Sequence, residues 1–196
     1  YDYFKDAGFI DGSNYTFYNE SNLINSDVCD GDIIDLSGVF RNKSFVFSKS
    51  LTITSSLSDA YLYDCQITFL NCKDGSSTIS NLNIENHVDE KTAILAMNSM
   101  NMTISNNIIY STGLSAYPIF LSRNTTNSYV VGNIVRTSIG QGGAWQHPGI
   151  LLGGSDYNYI WNNDVTVEDS NGIYLSEYSG GVSHHNIIFN NTVRSS

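Results

Sequence analysis

The residues in this chain best suited to chemistry are carboxylates and aromatics placed in loops. Glu168 and Asp169 precede a short aliphatic run, and Glu177 follows it. Two carboxylates held about 5 to 9 Å apart can hydrolyse a glycoside, so this pairing, with Arg123 as a nearby cation, is the catalytic set a polysaccharide hydrolase or lyase would use. A second chemistry is suggested by the segment Gly140-Gln141-Gly142-Gly143-Ala144-Trp145-Gln146-His147-Pro148. The face of Trp145 can stack on a pyranose ring, and Gln146 or His147 can hydrogen-bond its hydroxyls; equally, Trp145 can fold back over apolar neighbours. His184-His185 invites a metal reading, but neighbours on a strand point to opposite faces, so both are read as solvated loop residues. Cys29, Cys65 and Cys72 match no zinc spacing and make no disulfide framework; one disulfide with a buried thiol and three core thiols are both open. No metal site is expected.

What must position these groups is a repeat. Ile79-Ser80-Asn81-Leu82-Asn83-Ile84, Ile104-Ser105-Asn106-Asn107-Ile108-Ile109, Val130-Val131-Gly132-Asn133-Ile134-Val135, Ile160-Trp161-Asn162-Asn163-Asp164-Val165 and Ile188-Phe189-Asn190-Asn191-Thr192-Val193 superimpose, starting 25, 26, 30 and 28 residues apart. A period in this range marks stacked units that cannot bury an apolar face alone. A second column, Ile94-Leu95-Ala96, Ile119-Phe120-Leu121, Ile150-Leu151-Leu152 and Ile173-Tyr174-Leu175, recurs between the Asn corners, with Ile67-Thr68-Phe69 before it. Each coil therefore has three short strands. Alternation turns Ile94, Ile119, Ile150 and Ile173 inward and Leu95, Phe120, Leu151 and Tyr174 outward. A sharp corner favours Asn because it tolerates left-handed dihedrals. Asn107, Asn133, Asn163 and Asn191 share one slot, where stacked amides form a structural ladder that Leu82 interrupts. Residues 1–30 do not follow the repeat and read as a cap, with a helix or turn over 19–27; residues 31–196 read as about six to seven coils, continuing beyond Ser196.

Composition narrows the function classes. The 196 residues form one domain by length, with a net charge of -10 and only 14% charged residues. Nucleic acid is excluded as a partner, because a basic footprint dominates such binding. Asn and Ser each outnumber Asp and Glu combined, which fits an extracellular or cell-surface protein. No run of 18 apolar residues occurs, so no membrane span is expected in this segment. Six N-x-Ser/Thr acceptors for glycosylation are present, at Asn14, Asn19, Asn42, Asn101, Asn124 and Asn190, a number close to chance for a chain so rich in Asn, Ser and Thr.

With its Asn ladder after the second strand, carried by Asn107, Asn133, Asn163 and Asn191, the sequence resembles the right-handed parallel β-helix superfamily of pectate lyases. The run Gly31-Asp32-Ile33-Ile34-Asp35-Leu36-Ser37-Gly38, with Lys49-Ser50-Leu51-Thr52-Ile53, is similar to the start of β-helix regions in adhesin-like surface proteins of methanogenic archaea. The resemblance implies an all-β, single-stranded, right-handed solenoid. In the lyases, the outer side of one strand column holds Asp/Glu calcium ligands and a basic catalytic residue. Here those positions are Leu95, Phe120, Leu151 and Tyr174, which weighs against lyase chemistry. No cofactor is expected, with calcium the one ion the resemblance leaves open.

The resulting expectation is an adhesin-like rod with a side groove that binds a glycan or a host or cell-surface partner through Trp145, His147, Tyr174, Tyr117 and Glu177. The enzyme alternative uses Glu168, Asp169, Glu177 and Arg123. A third reading is a structural stalk or filament subunit that self-associates end to end. A fourth rests on similar repeats in periplasmic proteins involved in copper insertion, for which only Met97, Met100, Met102, the cysteines and the histidines could serve.

Overall fold

The computed structural model describes residues 29–138, 147–177 and 181–195. The expected helix or turn over 19–27, all but the end of the proposed cap, Asn14, Asn19 and Trp145 lie outside the described residues. Within them the chain winds into a solenoid of parallel sheets. The first sheet stacks Ile33–Asp35, Thr52–Thr54, Ser77–Ser80, Met102–Ser105, Tyr129–Val131, Tyr159–Trp161 and Ile187–Phe189. The second stacks Gly38–Arg41, Ala60–Tyr63, Asn83–Asn86, Ile108–Ser111, Ile134–Thr137, Asp164–Val167 and Thr192–Ser195. The third stacks Ser44–Phe47, Gln66–Leu70, Ile94–Met97, Ile119–Ser122, Ile150–Gly153 and Ile173–Ser176. Every strand pairs in parallel with its counterpart one coil away, as the two sequence columns require.

Side-chain alternation fills the interior. The first sheet sends one column inward, in which Ile53, Ile79, Ile104, Val130 and Ile160 lie in register. The second contributes Leu62, Ile84, Ile109, Val135 and Val165. The third contributes two columns, including Ile67/Phe69, Ile94/Ala96, Ile119/Leu121 and Ile150/Leu152. All of these are buried. Each buried aliphatic contributes about 1.5–3 kcal/mol, so the narrow core is stabilised rung by rung. Phe47 and Phe69 pack within it, their ring centroids 5.7 Å apart and their planes tilted by 40°.

The Asn corner divides its work between two adjacent positions. The left-handed backbone falls on Asn81, Asn106, Gly132, Asn162 and Asn190. The next residue carries the ladder: Nδ2 of Asn107, Asn133 and Asn163 donates to Oδ1 of the following rung's Asn at 3.0, 3.0 and 2.9 Å. The same Oδ1 atoms also accept the preceding rung's backbone N–H. Left-handed tolerance therefore explains the first Asn of each pair, and amide hydrogen bonding explains the second. Gly132 takes the left-handed position in one coil, where Asn106 Oδ1 lies 2.6 Å from the place a Cβ would occupy. Leu82 lacks an amide, and the N–H it leaves without one, that of Ala60, is accepted by Ser55 Oγ at 3.1 Å.

Two further polar ladders occupy the corner from the third sheet to the first. Ser128 N–H donates to Asn158 Oδ1 at 3.0 Å, and Asn158 Nδ2 donates to Asn186 Oδ1 at 3.1 Å. Nearby, Cys72 N–H donates to Ser99 Oγ at 3.1 Å, and Ser99 N–H reaches Thr125 Oγ1 at 3.5 Å. One coil further on, Ser155 N–H donates to Ser183 Oγ. Each slot keeps the same task while its residue type changes.

Candidate functional site

The outward column of the third sheet is apolar where it was expected to be, with Leu95, Phe120, Leu151 and Tyr174 in register. Its exposure varies along the rod. Phe120 is 7% and Leu151 4% exposed despite pointing outward, whereas Tyr174 is 41% exposed. Tyr117 reaches Phe120 edge to face, with ring centroids 5.4 Å apart. Beside this contact a groove of about 600 Å³ runs across neighbouring coils, with Leu95 and Phe120 in its floor and Gln66, Glu90, Tyr117 and Arg123 among its walls.

The corners set the rims. Tyr117, His147, Glu168 and Asp169 lie between second-sheet and third-sheet strands, on one edge of the third sheet. Arg123, Asp156 and Glu177 follow third-sheet strands on the opposite edge. Glu168 and Asp169 are exposed and so is Glu177, with the four-residue strand Ile173–Ser176 between them. Arg123 is exposed with left-handed backbone, and its side chain has no ion-pair partner among the described residues. His147 is 7% exposed, and its Nδ1 accepts Ser115 N–H at 2.8 Å. That bond fixes the neutral tautomer with hydrogen on Nε2, and burial holds the imidazole pKa below its ordinary value. His147 thus holds the Ser115 corner, two residues before Tyr117. Sequence reasoning placed His147 by its loop and had no signal for this backbone partner. The described acceptors Asn42, Asn101, Asn124 and Asn190 are all exposed and take left-handed backbone.

The soft metal donors are ten: three Cys, four His and three Met. Cys65 and Cys72 are buried, unpaired thiols. Burial pushes both up to about 11, so each is a protonated donor near neutrality. Cys65 Sγ donates to the Tyr63 carbonyl at 3.2 Å, and Cys72 Sγ to that of Lys49 at 3.4 Å. Cys29 is exposed at the far end of the described region. Met102 is sealed in the core while Met97 faces the groove. His184 and His185 sit in a turn rather than on opposite faces of a strand, with ring centroids 5.9 Å apart. His184 N–H is bound by Asp156 Oδ1, and His185 stacks on Tyr157 at 4.7 Å. Among the described residues, no group of three or more His, Cys, Asp or Glu side chains is arranged to hold a metal ion. No helix among them is long and apolar enough to cross a membrane.

The family model described as periplasmic copper-binding protein (NosD) matches residues 12–196. No match is found among curated proteins or solved structures. Copper belongs to that family's description; among the described residues the two buried thiols serve backbone carbonyls, His147 Nδ1 is taken by the Ser115 N–H, and no three His, Cys, Asp or Glu side chains are grouped to hold it. A periplasmic family accords with the expected location beyond the cytoplasm. The matched model spans nearly the whole chain and the fold is the parallel β-solenoid its repeats require, so this protein belongs to the NosD family.

Proposed function

We propose that this extracytoplasmic β-solenoid is an adhesin-like protein that binds a glycan in the groove on the outer face of its third sheet. The observation that carries the reading is the groove itself: about 600 Å³, with an apolar floor at Leu95 and Phe120, an aromatic wall at Tyr117 and polar groups at Gln66, Glu90 and Arg123. A pyranose presents apolar ring faces bordered by hydroxyls, and a site with a few placed polar groups on an apolar surface is complementary to it. Glu90 is the one carboxylate among the residues lining the groove, so a carboxylate pair is not at hand there, which supports binding without turnover. The reading also includes Trp145, His147 on the same edge as Tyr117, and Tyr174 and Glu177 two coils further on.

The test is a glycan and polysaccharide panel, with and without calcium, read for both binding and released ends. Saturable binding without product is expected. Tyr117→Ala should weaken it about tenfold, the loss of one stacking face, and Arg123→Ala and Trp145→Ala should weaken it too. Released product would transfer the reading to Glu168, Asp169 and Glu177. Binding unchanged in all three variants, or no binding to any glycan, would remove the groove from consideration.

A further inference from the structure

The outer face of the second sheet holds a slot that the third-sheet groove does not touch. Across three consecutive coils, Tyr61, Asn83 and Ile108 are in register, and beside them Tyr63, Glu85 and Tyr110. The large side chains thus stand two rungs apart, and the middle rung carries Asn83 and Glu85. Rungs repeat at about 4.8 Å, so the walls are about 9.6 Å apart. The resulting cavity has a volume of about 200 Å³, lined by these six residues over Leu62 and Ile84. Tyr61 and Tyr110 remain 46% and 37% exposed.

The contrast with the first sheet shows why the spacing matters. There Tyr129 stacks on Tyr159 at 5.2 Å and Trp161 on Phe189 at 5.8 Å. These are adjacent rungs, so the rings cover one another's faces. In the second sheet the intervening rung keeps the tyrosines apart. Arg41, one rung before Tyr63, lies over that ring at 4.3 Å from its centroid, leaving the other face turned toward the slot. Tyr110 is held by a 2.8 Å hydrogen bond between its hydroxyl and Ser138 Oγ. Glu85 is drawn to one end of the slot by His87, Nε2 to Oε1 at 3.1 Å. Asn83 gives its amide hydrogens to the Ser58 and Ala60 carbonyls, which pins the floor.

We infer that this slot is a second carbohydrate subsite, taking one neutral hexopyranose ring between Tyr61/Tyr63 and Ile108/Tyr110. Apolar atoms pack at about 3.5–4.0 Å, so walls about 9.6 Å apart admit one puckered saturated ring in contact with both. A flat aromatic ligand would leave a gap. Glu85 supplies acceptor oxygens at that end of the slot for the sugar's hydroxyls, and its charge disfavours uronic acids and phosphates. The site is independent of the third-sheet groove, so a two-sided rod could hold two chains at once.

The experiment is a titration of the intact protein with methyl β-glucoside, methyl β-galactoside, methyl α-mannoside and N-acetylglucosamine, following the tyrosine ring resonances. Saturable shifts at Tyr63 and Tyr110 are expected with at least one sugar. Tyr110→Ala should lower that affinity about tenfold, while Tyr110→Phe, which keeps the ring and loses only the Ser138 bond, should bind like the parent. Asn83→Trp should fill the slot and abolish the shifts. Tyr117→Ala, in the other groove, should leave them unchanged. Silent Tyr63 and Tyr110 signals with all four sugars, or a Tyr110→Ala protein that binds as the parent does, would overturn the assignment. Loss of the shifts in Tyr117→Ala would do the same.

Discussion

Asn133→Leu tests what holds the corners in register. Asn133 is buried, and its Oδ1 accepts both the backbone N–H and Nδ2 of Asn107 at 3.0 Å. Its Nδ2 donates to the Ile104 carbonyl at 2.9 Å and to Asn163 Oδ1 at 3.0 Å. Leucine introduces no cavity, as Leu82 already occupies the same slot two ladder positions earlier, but it supplies none of these bonds. The Asn107 N–H is then stranded away from water at about 1–3 kcal/mol, and the three remaining lost bonds add about 1 kcal/mol each, for a total of about 4–6 kcal/mol. Against the usual stability of about 5–15 kcal/mol for a domain, that is a large loss. Urea denaturation would read the total, and amide hydrogen exchange at Asn107 would locate it. A parallel variant sharpens the argument. Ser55→Ala removes the hydroxyl that accepts the N–H groups of Asp59 and Ala60 at 3.1 Å, and should cost about 1–3 kcal/mol by the same mechanism. If Asn133→Leu lost less than about 1 kcal/mol and the Asn107 amide stayed protected, the ladder would be an ornament of the corner rather than its support.

Two further predictions concern titration. The Cys65 and Cys72 thiols are raised by burial from 9.0 to about 11, so between those values the unfolded chain loses protons that the folded one keeps, and stability should fall as pH rises through this window. Cys65→Ser/Cys72→Ser should lack that alkaline component, and thiol titration of the native parent should find Cys29 reactive at once with the other two protected. The imidazole of His147 is depressed by burial, so the unfolded state binds the extra proton below its ordinary 6.5. Stability should therefore decline as pH drops below that value and the decline should be shallower in His147→Gln, as read by melting temperature against pH.

The parts of this molecule that were plain in the sequence are those in which one residue type recurs at one slot. Aliphatic pairs at Ile94/Ala96 or Ile119/Leu121, and the four ladder asparagines, declare themselves because their physical task admits few substitutes. The ladder of Cys72, Ser99 and Thr125 was opaque for the opposite reason: a thiol and a hydroxyl can each donate to the same backbone carbonyl, here those of Phe47, Phe69 and Ala96, so no letter repeats. The slot between Tyr63 and Tyr110 escaped notice because it depends on the smaller reach of the rung between them, a difference between coils rather than a likeness. His147 was chosen for its loop, but its partner, the Ser115 N–H, is a backbone group that no side-chain pattern announces. The groove itself needed the register of three coils before Gln66, Glu90 and Arg123 could be seen to face one another.

The parallel stacking of coils also dictates how this rod would yield to force. Its backbone hydrogen bonds run along the axis, so tension applied at one end of the chain loads the outermost coil alone while the rest stay clamped. The molecule would come apart as thread leaves a spool, one turn at a time. With turns of 25, 26, 30 and 28 residues between successive corners and about 3.4 Å of reach per residue, each release would lengthen the tether by roughly 85–100 Å. A protein that holds a ligand on its flank while fixed at one end would dissipate a pull as a series of small, recoverable slips, and the coils beneath would keep their grip.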